Sequence, residues 1–223
     1  MFTGIVEDLG TVESLTRGAD FAALAVSSNV VVTDRTLLGE SIAVNGVCLT
    51  VTSIHGTTFT ADVMHETLRR SSLGLLRRGS PVNVERAMPA DGRFSGHIVS
   101  GHIDGTGIVR AIVRDGIATV YTIDAPHNLM RFIAEKGSIA VEGISLTVTF
   151  ADDRSFGVSI IPHTAGHTVL PERKVGDIVN LEIDPIARYV DRLLSMPRIE
   201  NDADTPKASR SSITEDFLLS RGF

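Results

Sequence analysis

The sequence predicts an all-β protein of two similar tandem domains, each a sandwich or a small barrel, followed by a C-terminal helix. Three observations lead to this prediction. The chain repeats itself at a fixed offset, and most of its apolar residues lie in short β-branched runs between turn residues. The segment after Asp184-Pro185 carries apolar residues at helical spacing. Short strands at regular spacing are typical of sandwiches and barrels.

The repeat is clearest where residues 40–52 align without a gap with residues 137–149. Nine of the thirteen paired positions are identical, at an offset of ninety-seven residues. The same offset aligns residues outside this segment, among them Glu85 with Glu182. A long self-similarity at a fixed offset indicates a duplicated domain.

The repeat also predicts the domain boundaries. We expect an N-terminal domain at 1–97 and a C-terminal domain at 98–195, joined by a stretch of linker composition at 88–93. Domains of this size are large enough to form their own cores. The second domain should end in a helix at about 186–196, and the polar residues 197–223 should form a flexible tail.

The composition excludes several classes of protein. The chain has 223 residues, of which 43% are hydrophobic, a formal net charge of −6, and a single cysteine. The negative charge argues against nucleic acid as a partner, and one cysteine fits a reducing compartment. No apolar run approaches the length that spans a membrane, and the N-terminus lacks the pattern of a signal peptide. We therefore expect a cytoplasmic protein with neither a nucleic-acid nor a membrane partner.

The first half contains short apolar or β-branched runs between turn signals. They are residues 2–6, 10–15, 21–26, 41–44, 48–53, 58–63 and 81–85. Between the last two runs, residues 66–73 are better suited to a helix of one or two turns.

The second half repeats this arrangement. Its predicted strands are residues 107–113, 118–124, 138–141, 146–150, 156–161 and 178–183. Residues 128–136, with Gly137 in a C-terminal capping position, predict a short helix. The final helix is predicted from the stripe Ile186, Val190, Leu193 and Leu194, which stops at Pro197.

Few residues stand out as chemical groups. Each repeat places a turn glycine two residues before a small nucleophilic side chain, Cys48 in one half and Ser145 in the other. Either side chain could equally be structural. His102 occupies the position of Ile5 in the repeat, so the two halves differ chemically at this point.

Four histidines raise the question of a zinc site, and they are His97, His102, His163 and His167. Their spacing does not fit a zinc ligand set and no second cysteine is present, so we expect no metal. No phosphate-binding loop, dinucleotide fingerprint or nucleophile elbow occurs. The residues alone thus predict a soluble two-domain protein with a pair of similar small-molecule sites.

Several segments of the chain resemble the riboflavin synthase family, α-chain type. They are Met1-Phe2-Thr3-Gly4-Ile5-Val6, Asn45-Gly46-Val47-Cys48-Leu49-Thr50-Val51, Glu66-Thr67-Leu68, Ser100-Gly101-His102 and Glu142-Gly143-Ile144-Ser145-Leu146-Thr147. The resemblance covers residues 1 to about 195. It implies two tandem six-stranded Greek-key barrels and a C-terminal helix that holds a homotrimer. It also implies conversion of two 6,7-dimethyl-8-ribityllumazine molecules into riboflavin and 5-amino-6-(ribitylamino)uracil, without cofactor or metal.

The resemblance places an active site between the N-terminal barrel of one subunit and the C-terminal barrel of its neighbour. In the N-barrel site it implies Gly4, Ile5, Val6, Cys48, Leu49, Thr50, Asp62, Val63, Met64, His65, Glu66 and Thr67. In the C-barrel site it implies Gly101, His102, Ile103, Lys136, Ser145, Leu146, Thr147, Ile161, Pro162, His163, Thr164, Ala165 and Gly166. It implies association with lumazine synthase as a further possibility.

The resemblance further suggests catalytic roles for His102, Cys48, Ser145, Thr147 and Asp184. His102 would shuttle protons, and Cys48 or Ser145 would assist addition at C7 of the lumazine or orient a water that does so. One departure from the family is His163, which stands opposite Glu66 where some members keep glutamate. The alternative function is that of a non-catalytic antenna protein that holds a lumazine or a flavin.

Overall fold

Residues 1–196 and 219–221 are described by the computed structural model, and twelve strands among them form the fold. The first six are β1 (Asp8–Arg17), β2 (Phe21–Ser27), β3 (Ser41–Val44), β4 (Val47–His55), β5 (Thr58–Met64) and β6 (Pro81–Arg86). The second six are β7 (Gly105–Asp115), β8 (Ala118–Asp124), β9 (Ser138–Val141), β10 (Ile144–Ala151), β11 (Ser155–Ile160) and β12 (Ile178–Ile183).

The strands close into two antiparallel barrels. Their orders are β1-β2-β5-β4-β3-β6 and β10-β11-β8-β7-β12-β9, so equivalent strands of the two halves have equivalent neighbours. In the first barrel β3, β4 and β5 are consecutive neighbours and β2 lies beside β5, which is a Greek-key arrangement. The predicted fold class, two tandem six-stranded Greek-key barrels followed by a helix, is confirmed.

Successive side chains of a strand point to opposite faces, so that one face of each strand is buried. In β2, Ala22, Leu24 and Val26 are fully buried, whereas Phe21 is 48% exposed. Each barrel interior holds its own cluster of buried side chains, which includes Phe59 in the first barrel and its counterpart Phe156 in the second.

The repeat extends to the irregularities of the strands. The register between β1 and β2 shifts at Val12, and that between β7 and β8 shifts at Val109, ninety-seven residues later. Val51 and Val148 mark an equivalent pair of shifts in β4 and β10. Bulges bend strands and increase their twist, which helps a six-stranded sheet to close.

Short helices connect the strands. They are α1 (His65–Arg70), α2 (His127–Met130), α3 (Pro162–Gly166) and α4 (Pro185–Ser195), with 3₁₀ turns at Ser72–Leu75 and Leu170–Glu172. The prediction of α4 is confirmed, and α1 covers most of the predicted helix 66–73. No helix among the described residues is long and apolar enough to cross a membrane.

The helix predicted at 128–136 is wrong in length. The helical turn α2 ends at Met130, and the chain then continues in turns to β9. Leu129, Met130 and Ile133 are all buried in the second core, which holds the segment against the barrel. Lys136 has φ of 64°, a left-handed conformation that no helix of L-residues continues through.

The two halves exchange the segments that precede their first strands. We call residues 1–7 the first arm and residues 98–104 the second arm. Phe2 and Val99 pair across the arms, with N–O distances of 2.7 and 3.2 Å. Val6 of the first arm packs against the second core, and Ile103 of the second arm packs against the first core. Each barrel is therefore completed by a segment of the other half.

The predicted flexible tail at 197–223 lies largely outside the described residues. Both barrels and the two arms belong to one compact unit, Met1–Asp191.

Candidate active site

The arm exchange regroups the residues that the sequence predicted for the two sites. The backbone N–H of Cys48 donates to the carbonyl of Gly101 at 2.9 Å, and that of Ser145 donates to the carbonyl of Gly4 at 2.8 Å. The expected grouping of Gly4 with Cys48, and of Gly101 with Ser145, is therefore corrected. The first barrel's loop is covered by the second arm, and the second barrel's loop by the first arm.

Both contacts require glycine in the arm. Gly4 and Gly101 have φ of 75° and 81°, which L side chains rarely adopt. A Cβ atom on Gly101 would lie 2.5 Å from Cβ of Cys48, and one on Gly4 would lie 2.7 Å from Cβ of Ser145. The arms can thus approach the two nucleophilic side chains only because they carry no side chain at these positions.

A cavity of about 230 Å³ lies at the first of these contacts. Its walls are Val47, Cys48, Glu66, Thr67, Arg70, Ser71, Gly101, His102 and Ile103. Drug-sized ligands usually fill clefts of about 300–1,000 Å³, so this cavity accommodates part of a larger ligand. The structure brings His102 to Cys48, a pairing that the repeat by itself does not reveal. We call this cavity and the adjoining outer face of β4 and β5 the Cys48 site.

The outer face of the first barrel continues this site. Val51 and Ala61 pair between β4 and β5 with their side chains buried, so the exposed Thr50 and Asp62 lie side by side on the opposite face. Met64 is 70% exposed on the same face of β5. These strands present hydroxyl, carboxylate and thioether groups in one row beside the cavity.

Glu66 lies at the start of α1 and forms ion pairs with Arg69 and Arg70, both at 2.5 Å. The hydrogen bond from Arg69, followed by that from Arg70, lowers the pKa of the Glu66 carboxyl. Its carboxylate oxygens therefore accept hydrogen bonds without taking up a proton near neutral pH. At the repeat position His163 stacks on His167, with ring centroids 4.5 Å apart.

Ser145 has a histidine within hydrogen-bond distance of its side chain, a contact that Cys48 lacks among the described residues. Nδ1 of His97 lies 2.7 Å from the Ser145 hydroxyl oxygen. His97 is only 8% exposed, and its Nε2 atom is buried without a hydrogen-bond partner among the described residues. Burial lowers the pKa of His97, opposed by the charge of Asp184, so the imidazole is held toward its neutral form. We call these residues, with the first arm above them, the Ser145 site.

The sequence named His97 only as one of four histidines and did not assign it to a site. Its position carried one signal, because ninety-seven residues later the chain has Leu194 and not a histidine. A position at which the repeats differ chemically is where duplicated halves can differ in function. The other nearby predicted residue, Asp184, accepts the N–H of Ile186 at 2.9 Å and so caps α4.

Other predicted residues fall into three groups. Leu49, Val63 and Leu146 are buried in the cores, so only their backbone can face a ligand. The exposed or half-buried residues on the second barrel are Thr147, Ile161, Pro162, His163, Thr164, Ala165 and Gly166. His65 is half-buried beside the first barrel's site, and its Nε2 lies 3.1 Å from the carbonyl of Ala19.

Ile5 and Lys136 have distinct surroundings. Ile5 lines a separate hollow of about 510 Å³ between the first arm and the linker that contains Arg93. Lys136 is exposed in a left-handed conformation, and its counterpart in the repeat is Gly39 with φ of 87°. The second half thus has a lysine at a position where the first half has glycine, the residue that this left-handed backbone conformation favours.

No group of three or more potential metal ligands occurs among the residues that the structure describes. What the two sites offer is a thiol, hydroxyls, two imidazoles and backbone amides. Groups of this type hold a polar ligand and move protons at neutral pH.

Comparison with known proteins gives consistent results. The model of the Lumazine binding domain matches residues 3–87 and again residues 100–184. The chain is 52% identical to the riboflavin synthase of Actinobacillus pleuropneumoniae over 223 residues, with 100% of both chains covered. It is 42% identical to that of Bacillus subtilis over 223 residues, again with 100% of both covered.

Two crystal structures share the fold. They are LumP complexed with 6,7-dimethyl-8-(1'-D-ribityl) lumazine, with a TM-score of 0.74 and 22% identity, and LumP complexed with riboflavin, with 0.76 and 24%. In both comparisons 82% of this chain and 99% of the other chain are covered.

Proposed function

We propose how this chain, which belongs to the riboflavin synthase family of transferases, converts two molecules of 6,7-dimethyl-8-ribityllumazine into riboflavin and 5-amino-6-(ribitylamino)uracil. The observation that supports the proposal is the pair of exchanged contacts, Cys48 with Gly101 and Ser145 with Gly4. They give one chain two related sites with different chemical groups. A dismutation needs such a difference, since one molecule donates a four-carbon unit and the other accepts it.

We place one lumazine at the Cys48 site. The ring would lie on the outer face of β4 and β5 beside Thr50, and the ribityl chain would reach toward Glu66 and Thr67. The ionised Glu66 carboxylate suits the hydroxyls of a polyol, which are hydrogen-bond donors. His102, exposed at the mouth of the cavity, would carry protons to and from the bound ring.

We place the other lumazine at the Ser145 site. Ser145 would assist addition at C7 or orient a water that does so, and neutral His97 would hold the hydroxyl in one direction. Thr147, exposed two residues along β10, would bond the same ligand. His163 would take the place of Glu66 toward the ribityl chain, and Lys136 would supply a positive charge.

The chemistry needs positioning more than a strong base. The C7 methyl group of the lumazine is acidic because the ring delocalises its carbanion. The larger barrier is to hold two flat molecules face to face, and such orientation is worth about 7–11 kcal/mol. A site built from backbone amides, hydroxyls and imidazoles is suited to that task.

We further propose a homotrimer in which the two kinds of site meet between subunits. The exposed apolar side chains of α4 support this. Ile186 is 59% exposed, Val190 49%, Leu193 70% and Leu194 81%. Burying side chains of this type is worth about 1.5–3 kcal/mol each, and light scattering would test the oligomeric state.

The remaining assignments are also proposals. The N-terminal lumazine-binding unit would be 1–97 and the C-terminal unit 98–195, with the arm exchange as the reason that they act together. A cytoplasmic location fits the free thiol of Cys48. Association with lumazine synthase would pass the substrate directly to this enzyme.

The decisive experiment is incubation of the purified protein with 6,7-dimethyl-8-ribityllumazine alone. We expect flavin absorbance to rise while the pyrimidine forms in equal amount, in the presence or absence of EDTA. A retained fluorescent ligand with no turnover would instead support the antenna function. Activity lost with EDTA and restored by zinc would overturn the cofactor-free mechanism.

A further inference from the structure

Glu182 fastens the second arm to its own barrel. The Ser100 backbone N–H and hydroxyl donate to Oε1 of Glu182 at 2.6 and 2.5 Å, and the Gly101 N–H donates to Oε2 at 2.9 Å. Glu182 lies in β12 and is 1% exposed. The carboxylate therefore fixes the two residues that immediately precede His102.

Glu85 does the same for the first arm. The Thr3 backbone N–H and hydroxyl donate to Oε1 of Glu85 at 2.7 and 2.8 Å, and the Gly4 N–H donates to Oε2 at 3.1 Å. Glu85 lies in β6 and is 6% exposed. We call each of these carboxylates, with its three hydrogen bonds, a clamp. The two clamps have equivalent donors in the same order, and their glutamates lie at equivalent strand positions, ninety-seven residues apart.

Neither carboxylate forms an ion pair among the described residues. Burial raises the pKa of both groups, while the bonds from Thr3 and Gly4 oppose the rise at Glu85, and those from Ser100 and Gly101 oppose it at Glu182. Burying a carboxylate without a neighbouring cation costs free energy, and a purely structural contact would not require it. Its benefit here is that one side chain can accept three hydrogen bonds and fix an arm in a single position.

Each arm is fixed to its own barrel but contacts the site on the opposite barrel. The residue after the Glu182 clamp is His102, at the Cys48 site, and the Glu85 clamp ends at Gly4, whose carbonyl accepts the N–H of Ser145. We infer that Glu182 and Glu85 are positioning residues for the opposite barrels, Glu182 for His102 at the Cys48 site and Glu85 for Ser145. The inference rests on the proposed function, because it assigns to these side chains the sites described there.

The test is a set of double-mutant cycles on the full-length chain. In Glu182→Gln the amide can keep the Ser100 bonds, but its NH₂ group then faces the Gly101 N–H, so the arm loosens next to His102. A displacement of about 1 Å can lower a rate by about 10²-fold, and we expect kcat to fall by about 10–100-fold. In a His102→Gln background the same change should lower kcat by less than about 3-fold, because the group it positions is gone.

Glu85→Gln is the matched control, since it breaks the same clamp in the other half. Its effect should shrink in a Ser145→Ala background and persist in a His102→Gln background, the reverse of Glu182→Gln. Equal losses in both backgrounds would mean that the carboxylates only support the fold, and would overturn the inference. So would a kcat within about 2-fold of the parent for Glu182→Gln.

Two additions keep the test decisive. If a glutamine variant fails to fold, Ser100→Ala and Thr3→Ala remove the hydroxyl donor, and Thr3→Ala also removes the acceptor of the Ile5 N–H at 3.2 Å. Both should give smaller losses with the same dependence on background. The proton resonances of the His102 ring report the arm without turnover. They should shift or broaden in Glu182→Gln and stay unchanged in Glu85→Gln, even if the parent protein fails to convert the lumazine. Unchanged His102 resonances in Glu182→Gln would count against the inference.

Discussion

Asn83 and Asn180 bridge the two barrels with matching pairs of side-chain hydrogen bonds. Nδ2 of Asn83 donates to the carbonyl of Glu142 at 2.8 Å, and its Oδ1 accepts the N–H of Val169 at 2.8 Å. Nδ2 of Asn180 donates to the carbonyl of Asn45 at 2.9 Å, and its Oδ1 accepts the N–H of Ser72 at 2.6 Å. All four bonds cross between halves, so the duplication has produced an interface with internal two-fold symmetry.

Replacing either bridging asparagine should destabilise the whole two-barrel unit. Asn83→Ala and Asn180→Ala each leave a buried donor and a buried acceptor unpaired, and each such group costs about 1–3 kcal/mol. We expect the free energy of unfolding in urea to fall by about 2–4 kcal/mol for either variant. The exposed Asn128→Ala is the control and should change it by less than about 0.5 kcal/mol. Equal stability of all three variants would contradict this view of the interface.

The symmetry of that interface is broken at one buried ion pair. Glu142 is fully buried and pairs with Arg173, whereas the repeat places Asn45 and Leu76 at these positions. Removing one partner of a buried pair costs about 3–5 kcal/mol, while replacing both is often neutral. Glu142→Asn and Arg173→Leu should therefore each destabilise the protein, and the double variant should recover most of the loss. Additive losses in urea unfolding would show that the pair is not coupled.

The stability contributed by three buried glutamates should decline as pH rises above the usual range of glutamate. Burial raises the pKa of Glu85, Glu142 and Glu182 in the folded protein, although hydrogen bonds, and at Glu142 the charge of Arg173, oppose it. Between the ordinary pKa and the folded pKa of each group, the folded state holds a proton that the unfolded state has released. The stabilisation that these groups contribute is fully present below the ordinary glutamate pKa of about 4.5. It is lost as pH rises through the pKa of each group in the folded protein.

Glu142→Gln should flatten that decline. Each such group changes the unfolding free energy by at most about 1.4 kcal/mol per pH unit. Urea unfolding of the parent and of Glu142→Gln between pH 5 and pH 8 gives the two slopes. Equal slopes would mean that Glu142 does not take up a proton on folding.

His102→Gln should separate binding from catalysis. The glutamine keeps a polar side chain at the mouth of the Cys48 site but cannot shuttle a proton, so turnover should fall by about 10²–10⁴-fold. Lumazine fluorescence titration should show much of the affinity retained. His127→Gln, an exposed histidine away from both sites, is the control. A single-turnover rate within a few-fold of the parent would assign the proton transfer to another group.

Lys136 should show opposed effects on stability and activity. Its left-handed backbone costs about 1–2 kcal/mol for any residue with a Cβ atom, and glycine relieves that strain while adding flexibility to the unfolded chain. Lys136→Gly should therefore be at least as stable as the parent, and Lys136→Ala less stable than Lys136→Gly. Both should lose turnover, because both lack the amine. Full activity in either variant would remove Lys136 from the site.

The sequence alone determined the parts that depend on local pattern. The ninety-seven-residue offset predicted two equivalent domains, and short β-branched runs between turn residues, such as 41–44 and 58–63, predicted strands. The stripe that includes Ile186 and Val190 predicted α4, since the helical period follows from backbone geometry. Residue types at Cys48, His102 and Ser145 indicated where the chemistry would lie, through the resemblance that they carry.

Local sequence pattern led to a wrong prediction of helix length where packing overrode helix propensity. Residues 128–136 have helical spacing, but burial of Leu129, Met130 and Ile133 against the second barrel leaves only one helical turn. Propensity is a weak influence when several apolar side chains must reach one core. The left-handed conformation of Lys136 was missed as well, because the lysine itself does not indicate it, although its repeat counterpart Gly39 does.

Only the tertiary structure decided which arm serves which barrel. The repeat aligns Gly4 with Gly101, and the family resemblance grouped Gly4 with Cys48 and Gly101 with Ser145. The exchange depends instead on contacts between distant segments, namely the Phe2–Val99 pairing, the clamps at Glu85 and Glu182, and the packing of the arms into opposite cores. A repeated sequence specifies two equal sets of surfaces but not which copy each will bind. Which arm binds which barrel depends on the free energy of the assembled pair of barrels. The resulting arrangement places His102 at Cys48 and His97 beside Ser145.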